Sequence, residues 1–217
     1  MKAIVTGDAE YVVRSFDNLP PGAHVAVRTS PTQLPDSGIA LRLAGFEIRD
    51  TIAHVVGDRI VWWILARKPL DGTVANNVLN HGVGGLNIDA SRVATDAGDD
   101  VLRQRAASVV GDTSAPFGKG AAMAGVATSA GRFPANVLLD EHAAAEMDKQ
   151  SGVSVSRKID GSKARPKVDT VAYGNYGTCP TIRGHEDSGG ASRFFPVLNE
   201  DGAENWIRRL IDPDQSQ

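Results

Sequence analysis

The chain has 217 residues, a hydrophobic fraction of 41%, 23 glycines and few aromatic residues, which fits one α/β domain with many loops, or one domain with an insertion, rather than a helical bundle. A formal net charge of −3 excludes a molecule that binds polyanions over its whole surface, so any nucleic-acid contact must come from a local patch. One cysteine, Cys179, excludes an internal disulfide and a cysteine metal cluster and suits a reducing cytoplasm.

Met1 to Thr6 alternates and is rich in β-formers, which predicts a short strand. Asp8 to Phe16 predicts a helix with Asp8 as its N-cap. Leu19-Pro20-Pro21-Gly22 is a turn into a second strand, His24 to Arg28. Pro35 to Leu43 reads as a helix ended by Gly45. Phe46 to Val56 and Arg59 to Arg67 read as strands, and the Gly57-Asp58 turn between them predicts an antiparallel hairpin. Thr73 to His81 is a short helix, capped by Thr73 and stopped by Gly82. Residues 95–131 are rich in Ala, Gly, Ser and Thr and read as a loop or mobile insertion. Asn136 to Leu139 is a short strand, Asp140 to Gln150 a helix ended by Gly152, and Ala203 to Ile211 an amphipathic helix carrying Trp206. The N-terminus has no apolar run fit for a signal peptide, and the stretch Ile60 to Ala66 is too short to span a bilayer.

Seven segments, in order, then resemble one family. These are Leu19-Pro-Pro-Gly-Ala-His-Val-Ala-Val27, Ala44-Gly-Phe-Glu-Ile-Arg-Asp-Thr-Ile-Ala53, Ala66-Arg-Lys-Pro-Leu70, Gly72-Thr-Val-Ala-Asn-Asn-Val-Leu-Asn-His-Gly82, Gly85-Leu-Asn-Ile-Asp-Ala-Ser-Arg-Val93, Gly131-Arg-Phe-Pro-Ala-Asn-Val137 and Ser192-Arg-Phe-Phe195. They resemble the phage and prophage site-specific DNA methyltransferases that act on the exocyclic amino group of adenine or cytosine. The resemblance runs over roughly residues 19–195. It implies a partial Rossmann-like methyltransferase sheet with an antiparallel β-hairpin and a loop-rich variable region. The implied division is a reduced methyltransferase-like α/β core (1–94), a flexible insertion (95–131) and a family-specific, variable region that could read the target (132–217).

Two family motifs are missing from these 217 residues. The first is the loop Asp/Asn-Pro-Pro-aromatic, which in the family lies between the first strand and the strand that follows the Pro-Gly turn. Its polar oxygens polarise the amino group of a flipped-out base, and its ring stacks on that base. Here Val5-Thr6-Gly7-Asp8 runs almost directly into Phe16-Asp17-Asn18-Leu19-Pro20-Pro21. Asn18, Pro20 and Pro21 are the remnant catalytic candidates, read more simply as a turn. The second is Asp-Pro-Phe-x-Gly-Ser-Gly, whose glycines let the backbone approach S-adenosylmethionine. The glycines of Gly82-Val-Gly-Gly85 and Gly118-Lys-Gly120 lack the strand before and the helix after that would make them a cradle. The resemblance therefore implies a scaffold without methyl transfer and no bound cofactor, or S-adenosylmethionine if the chain is active. An active form would draw on a second subunit for the missing parts.

Residues 156–183 carry six basic side chains against two acidic ones, with tyrosines interleaved. Arg157, Lys158, Lys163, Arg165, Lys167, Arg183, Tyr173 and Tyr176 are the leading DNA-contact candidates, with a solvated loop as the plain alternative. Arg67 and Lys68 end a strand and are either solvated or phosphate contacts. One of Trp62 and Trp63 is expected in the core and the other at the surface. The histidines lack ligand spacing, so no metal site is expected, and neither Cys179 nor a serine sits in a nucleophile context. Double-stranded DNA or a protein partner, no membrane, a possible oligomer and the cytoplasm of the host cell complete the expectations. A phage interaction protein on the same scaffold, acting in counter-defence or assembly, is the remaining alternative.

Overall fold

In the computed structural model, residues 2–93, 132–155 and 188–212 are described. The expected insertion (95–131), the basic stretch, Cys179 and His185 lie outside the described residues.

The described residues fall in two compact units, the larger holding 2–93, 132–152 and 190–212. It begins with strand β1 (Ala3–Thr6) and helix α1 (Ala9–Arg14), then β2 (His24–Thr29), α2 (Leu34–Leu43), β3 (Glu47–Val56), β4 (Arg59–Arg67) and α3 (Val74–His81). After residue 131 come β5 (Val137–Leu139), α4 (Glu141–Ser151) and the final helix α5 (Glu200–Ile211). The smaller unit contributes a two-stranded antiparallel ribbon, β6 (Ser154–Val155) and β7 (Ser188–Gly189).

The five strands of the larger unit form one mixed sheet in the order β1-β2-β4-β3-β5. The β1–β2 and β3–β5 pairs are parallel, whereas β4 runs antiparallel to both of its neighbours. Four strands therefore point one way and β4 alone points back. The expected hairpin is there, with Val56 opposite Arg59 and Gly57 at φ +58° supplying the left-handed residue of the turn. The fold is mixed α/β, a partial Rossmann-like sheet carrying one antiparallel hairpin.

Alternation along the strands builds two cores. Ile4, Val25, Val27, Ile64 and Ala66 face Val12 of α1 and Leu41 of α2 on one side. Ala26, Ile52, Trp63, Leu65 and Leu138 face α5 on the other. The central strand β4 is buried on both faces from Trp63 to Arg67, which explains why its sequence reads as a continuous apolar run rather than an alternating one. Trp63 is the core tryptophan and Trp62 is only half-buried, the expected split.

Helix α5 presents Ala203, Trp206, Ile207, Leu210 and Ile211 to the sheet, a spacing of three and four that keeps them on one stripe. Burying its larger apolar side chains stabilises the docking by roughly 1.5–3 kcal/mol each. The Trp206 indole N–H donates to the Ser91 carbonyl at 3.2 Å, so the polar end of this buried ring has a partner. Asp8 and Thr73 are the expected caps, and Asp140 and Asn199 cap their helices in the same way: each accepts from the backbone N–H three residues on.

Helix α1 is shorter than expected. It stops at Arg14, and Phe16–Asn18 forms a 3-10 turn instead. The cause is packing: Phe16 meets Phe46 edge-on with ring centroids 4.8 Å apart, and the Ser15 hydroxyl donates back to the Tyr11 carbonyl at 2.8 Å. No helix among the described residues is long and apolar enough to cross a membrane.

Candidate functional site

Ligands of open α/β sheets sit beyond the carboxyl ends of the parallel strands. Here that edge is formed by Gly7-Asp8 after β1, Ser30-Pro31 after β2, Gly57-Asp58 after β3 and Asp140 after β5, together with Arg59 at the start of β4. A cleft of about 690 Å³ opens there, within the range of small-molecule sites.

Among the described residues, its lining combines two guanidiniums, Arg28 and Arg59, with the polar groups of Thr29, Ser30 and Gln33 and the apolar Pro31 and Ile60, and no carboxylate. Arg28 is the next-to-last residue of β2 and Arg59 the first of β4. Both reach Glu200, the first residue of α5. Arg28 Nη2 donates to Glu200 Oε2 at 2.5 Å, and Arg59 Nη2 donates to Oε1 of the same carboxylate. The carboxylate also sits at a helix N-terminus, where the backbone dipole favours a negative charge. Ser30 Oγ donates to Gln33 Oε1 at 3.1 Å and accepts from the Gln33 backbone N–H at 3.3 Å, so the loop between β2 and α2 is internally braced.

Buried polar groups tie this edge to the last helix. His54 is 1% exposed, and its Nε2 lies 3.0 Å from the Leu198 carbonyl oxygen. Desolvation lowers its pKa against the opposing pull of that carbonyl and of Asp140 and Glu200. Asp140 accepts from the backbone N–H groups of Ala143 and Gly57, and these bonds hold its carboxyl below the usual carboxylate range.

The residues singled out from the family loop lie at the other end of the sheet. Asn18 closes the 3-10 turn, and Pro20 and Pro21 lead through Gly22 into the amino end of β2. Arg67 and Lys68 come to the same place from the end of β4. Arg67 Nη2 donates to Glu47 Oε2 at 2.7 Å and Nε to the same oxygen at 3.2 Å, and its side chain is 9% exposed. Lys68 Nζ donates to the carbonyls of Phe16 and Leu19, both at 2.8 Å, and stands 4.6 Å from the Phe16 ring centre. A phosphate contact by either residue would compete with a carboxylate or with two backbone carbonyls. What the structure assembles here is a joint between the turn before β2 and the end of β4.

At the carboxyl edge, the stretch that follows β1 is Gly7-Asp8. Asp8 Oδ1 accepts from the Tyr11 backbone N–H at 2.9 Å as the cap of α1. The other segment with a family resemblance, Gly72 to Gly82, forms α3, and its only buried residue is Asn77. Asn77 Nδ2 donates to the Pro21 and Val83 carbonyls at 2.9 and 2.7 Å, and its Oδ1 accepts from the Asp71 N–H at 2.8 Å. His81 lies 3.3 Å from Asp71, and Asp89 pairs with Arg92.

Sequence reading passed over Arg28, Arg59, Glu200 and Asn77. Isolated charged residues at strand ends carry no motif, and Glu200 meets Arg28 across 172 positions. Only the strand order brings them together.

No protein-family model matches the chain, and no curated protein matches it. Among solved structures, the crystal structure of M1.HpyAVI is 20% identical over a match covering 31% of this chain and 43% of that one, with a TM-score of 0.29. The crystal structure of the M1.HpyAVI-SAM complex is 18% identical, covering 31% of this chain and 44% of that one, with a TM-score of 0.30. The chain spans less than half the length of these chains.

Proposed function

We propose that the chain is a DNA-methyltransferase-derived protein of phage type that binds DNA and does not itself transfer a methyl group. The observation that carries this reading is the condition of the carboxyl edge after β1. Amino-methyl transfer needs an oxygen free to take a hydrogen bond from the base amine and a ring to stack on the base. The carboxylate nearest the end of β1 is Asp8, and its Oδ1 is committed as a helix cap. The stretch from Gly7 to Asp17 has no Pro-Pro-aromatic string, and the Asn18-to-Pro21 turn stands at the opposite edge.

The seven segments in family order support the ancestry. The DNA contacts of this reading are Arg157, Lys158, Lys163, Arg165, Lys167 and Arg183 with Tyr173 and Tyr176, where cations would neutralise phosphates and rings would stack. Arg67 and Lys68 stay secondary candidates because both have internal partners. An active enzyme would need a base-gripping loop and a cofactor loop that these 217 residues do not carry, supplied for example by a second subunit.

The purified chain should bind a duplex of about 20 base pairs with an affinity that falls steeply with salt. Four to five neutralised phosphates correspond to a log–log slope near −4, at about 0.9 per phosphate. Calorimetry with S-adenosylmethionine should show no saturable binding, and tritium should not pass from labelled cofactor to the duplex. Micromolar cofactor binding together with methyl transfer would overturn the loss of catalysis. The absence of a gel shift even at low salt would overturn the DNA reading and favour a protein partner.

A further inference from the structure

We propose that the carboxyl-edge cleft binds a phosphate group through Arg28 and Arg59, with Glu200 holding the two guanidiniums in place. The two side chains come from different strands and converge on one carboxylate, one on each oxygen. Among the described residues, each guanidinium commits only Nη2 to this contact. Nε and Nη1 of each remain as donors, and a guanidinium presents five N–H groups in a fixed fork suited to phosphate. The trio leaves one net positive charge beside a lining without carboxylates.

The hydroxyl of Ser30 and the amide of Gln33 add neutral hydrogen-bonding groups on the loop after β2. Ile60 is 41% exposed and with Pro31 gives an apolar wall on which the organic part of a phosphate ester can rest. Preorganisation follows from the same contacts. A guanidinium already fixed by Glu200 loses less rotamer freedom when it meets a phosphate than a free arginine does. The chemistry is that of a phosphate ester, either the terminal phosphate of a mononucleotide or a backbone phosphodiester of DNA. Only the second source rests on the DNA-binding reading given above.

The experiment compares three ligands against the full chain by calorimetry and fluorescence anisotropy. They are deoxyadenosine 5′-monophosphate, deoxyadenosine, and a labelled 20-base-pair duplex. The proteins are the wild type, the Arg28→Ala/Arg59→Ala double variant, and Glu200→Ala. Glu200→Ala breaks the same two ion pairs as the double variant but keeps both cations, so it separates a structural role from a binding one. Circular dichroism melts accompany each protein.

The expected result is binding of the monophosphate, or of the duplex, that weakens at least tenfold in the double variant and clearly less, by about threefold, in Glu200→Ala, which keeps both cations but loses their positioning. Deoxyadenosine should not bind. Loss confined to the monophosphate assigns the site to a free nucleotide, and loss confined to the duplex assigns it to the DNA backbone. The proposal is overturned if no ligand binds, if the double variant binds as the wild type does, or if Glu200→Ala loses as much as the double variant. Duplex binding indifferent to both arginines, with no monophosphate binding, overturns the cleft while leaving the DNA reading standing. Monophosphate binding that depends on the arginines, with no duplex binding, does the reverse.

Discussion

Gly22→Ala is expected to destabilise the fold by about 3–5 kcal/mol, the sum of a backbone term and a broken polar hub. Gly22 sits at φ +77°, where an L-residue with a Cβ is strained by about 1–2 kcal/mol. A Cβ there would run into the Asn77 amide, with the Leu70 Cδ2 only 3.0 Å away. Asn77 is fully buried, and its side chain makes three hydrogen bonds that tie Pro21, Asp71 and Val83 together. Displacing it leaves the buried Val83 carbonyl and the half-buried Pro21 carbonyl without this partner, at about 1–3 kcal/mol for each buried group left unsatisfied. Entropy removed from the unfolded chain offsets roughly 0.4–1 kcal/mol of this. With a urea m-value of about 2 kcal/mol/M, the midpoint should fall by about 1.5–2.5 M.

A double-mutant cycle identifies the cause. Asn77→Ala alone should also be strongly destabilising, but it removes the group that the new Cβ would strike. The two changes together should then cost clearly less than their sum, by at least about 1 kcal/mol, as coupled neighbours do. Additive costs would show that the Gly22 effect comes from backbone strain alone and that the hub is not its target.

The hub, the arginine clamp and the two cores differ in how far apart their parts lie in the chain, and this decides what could be read beforehand. The β3–β4 hairpin, the caps at Asp8 and Thr73, and the stripe on α5 depend on residues within a turn or two of one another, and periodicity and cap chemistry expose them. The end of α1 is not legible in its own residues because Phe16 answers to Phe46, thirty positions on. The strand order β1-β2-β4-β3-β5 has no local signature, so nothing marked Arg28, Arg59 and Glu200 as neighbours. Lys68 and Arg67 read as solvent-facing cations at a strand end. Their partners, the Phe16 and Leu19 carbonyls and Glu47, appear only when the sheet brings the turn before β2 and the start of β3 beside them. Asn77 sits in a helix whose other residues are exposed, save the half-buried His81, so its polarity suggests a surface position and hides its role.

His24 should make the fold lose stability in mild acid. It begins β2 opposite Arg67 on β4 and Ala3 on β1 and is 3% exposed. Burial, then the positive charges of Arg67 and Arg49, lower its pKa from 6.5 to about 4. The native state therefore keeps this imidazole neutral at pH 5, whereas the unfolded chain protonates it below about 6.5. Between those values the unfolded state binds more protons, so stability rises with pH. The contribution is complete above pH 6.5 and is lost as pH falls through about 4, a total of roughly 3 kcal/mol at 1.36 kcal/mol per pKa unit. Urea melts of the wild type at pH 7, 5.5 and 4 should show that decline on top of the smaller effects of His54, Asp140 and Asp148, whose pKa values are also lowered. In His24→Gln, which keeps a neutral polar side chain, the pH profile should flatten by about the same 3 kcal/mol, so the variant gains that much on the wild type between pH 7 and pH 4. Parallel profiles for the two proteins, or a His24 ring proton that titrates near 6.5 in the native state, would show that burial and the charges of Arg67 and Arg49 do not hold this imidazole neutral.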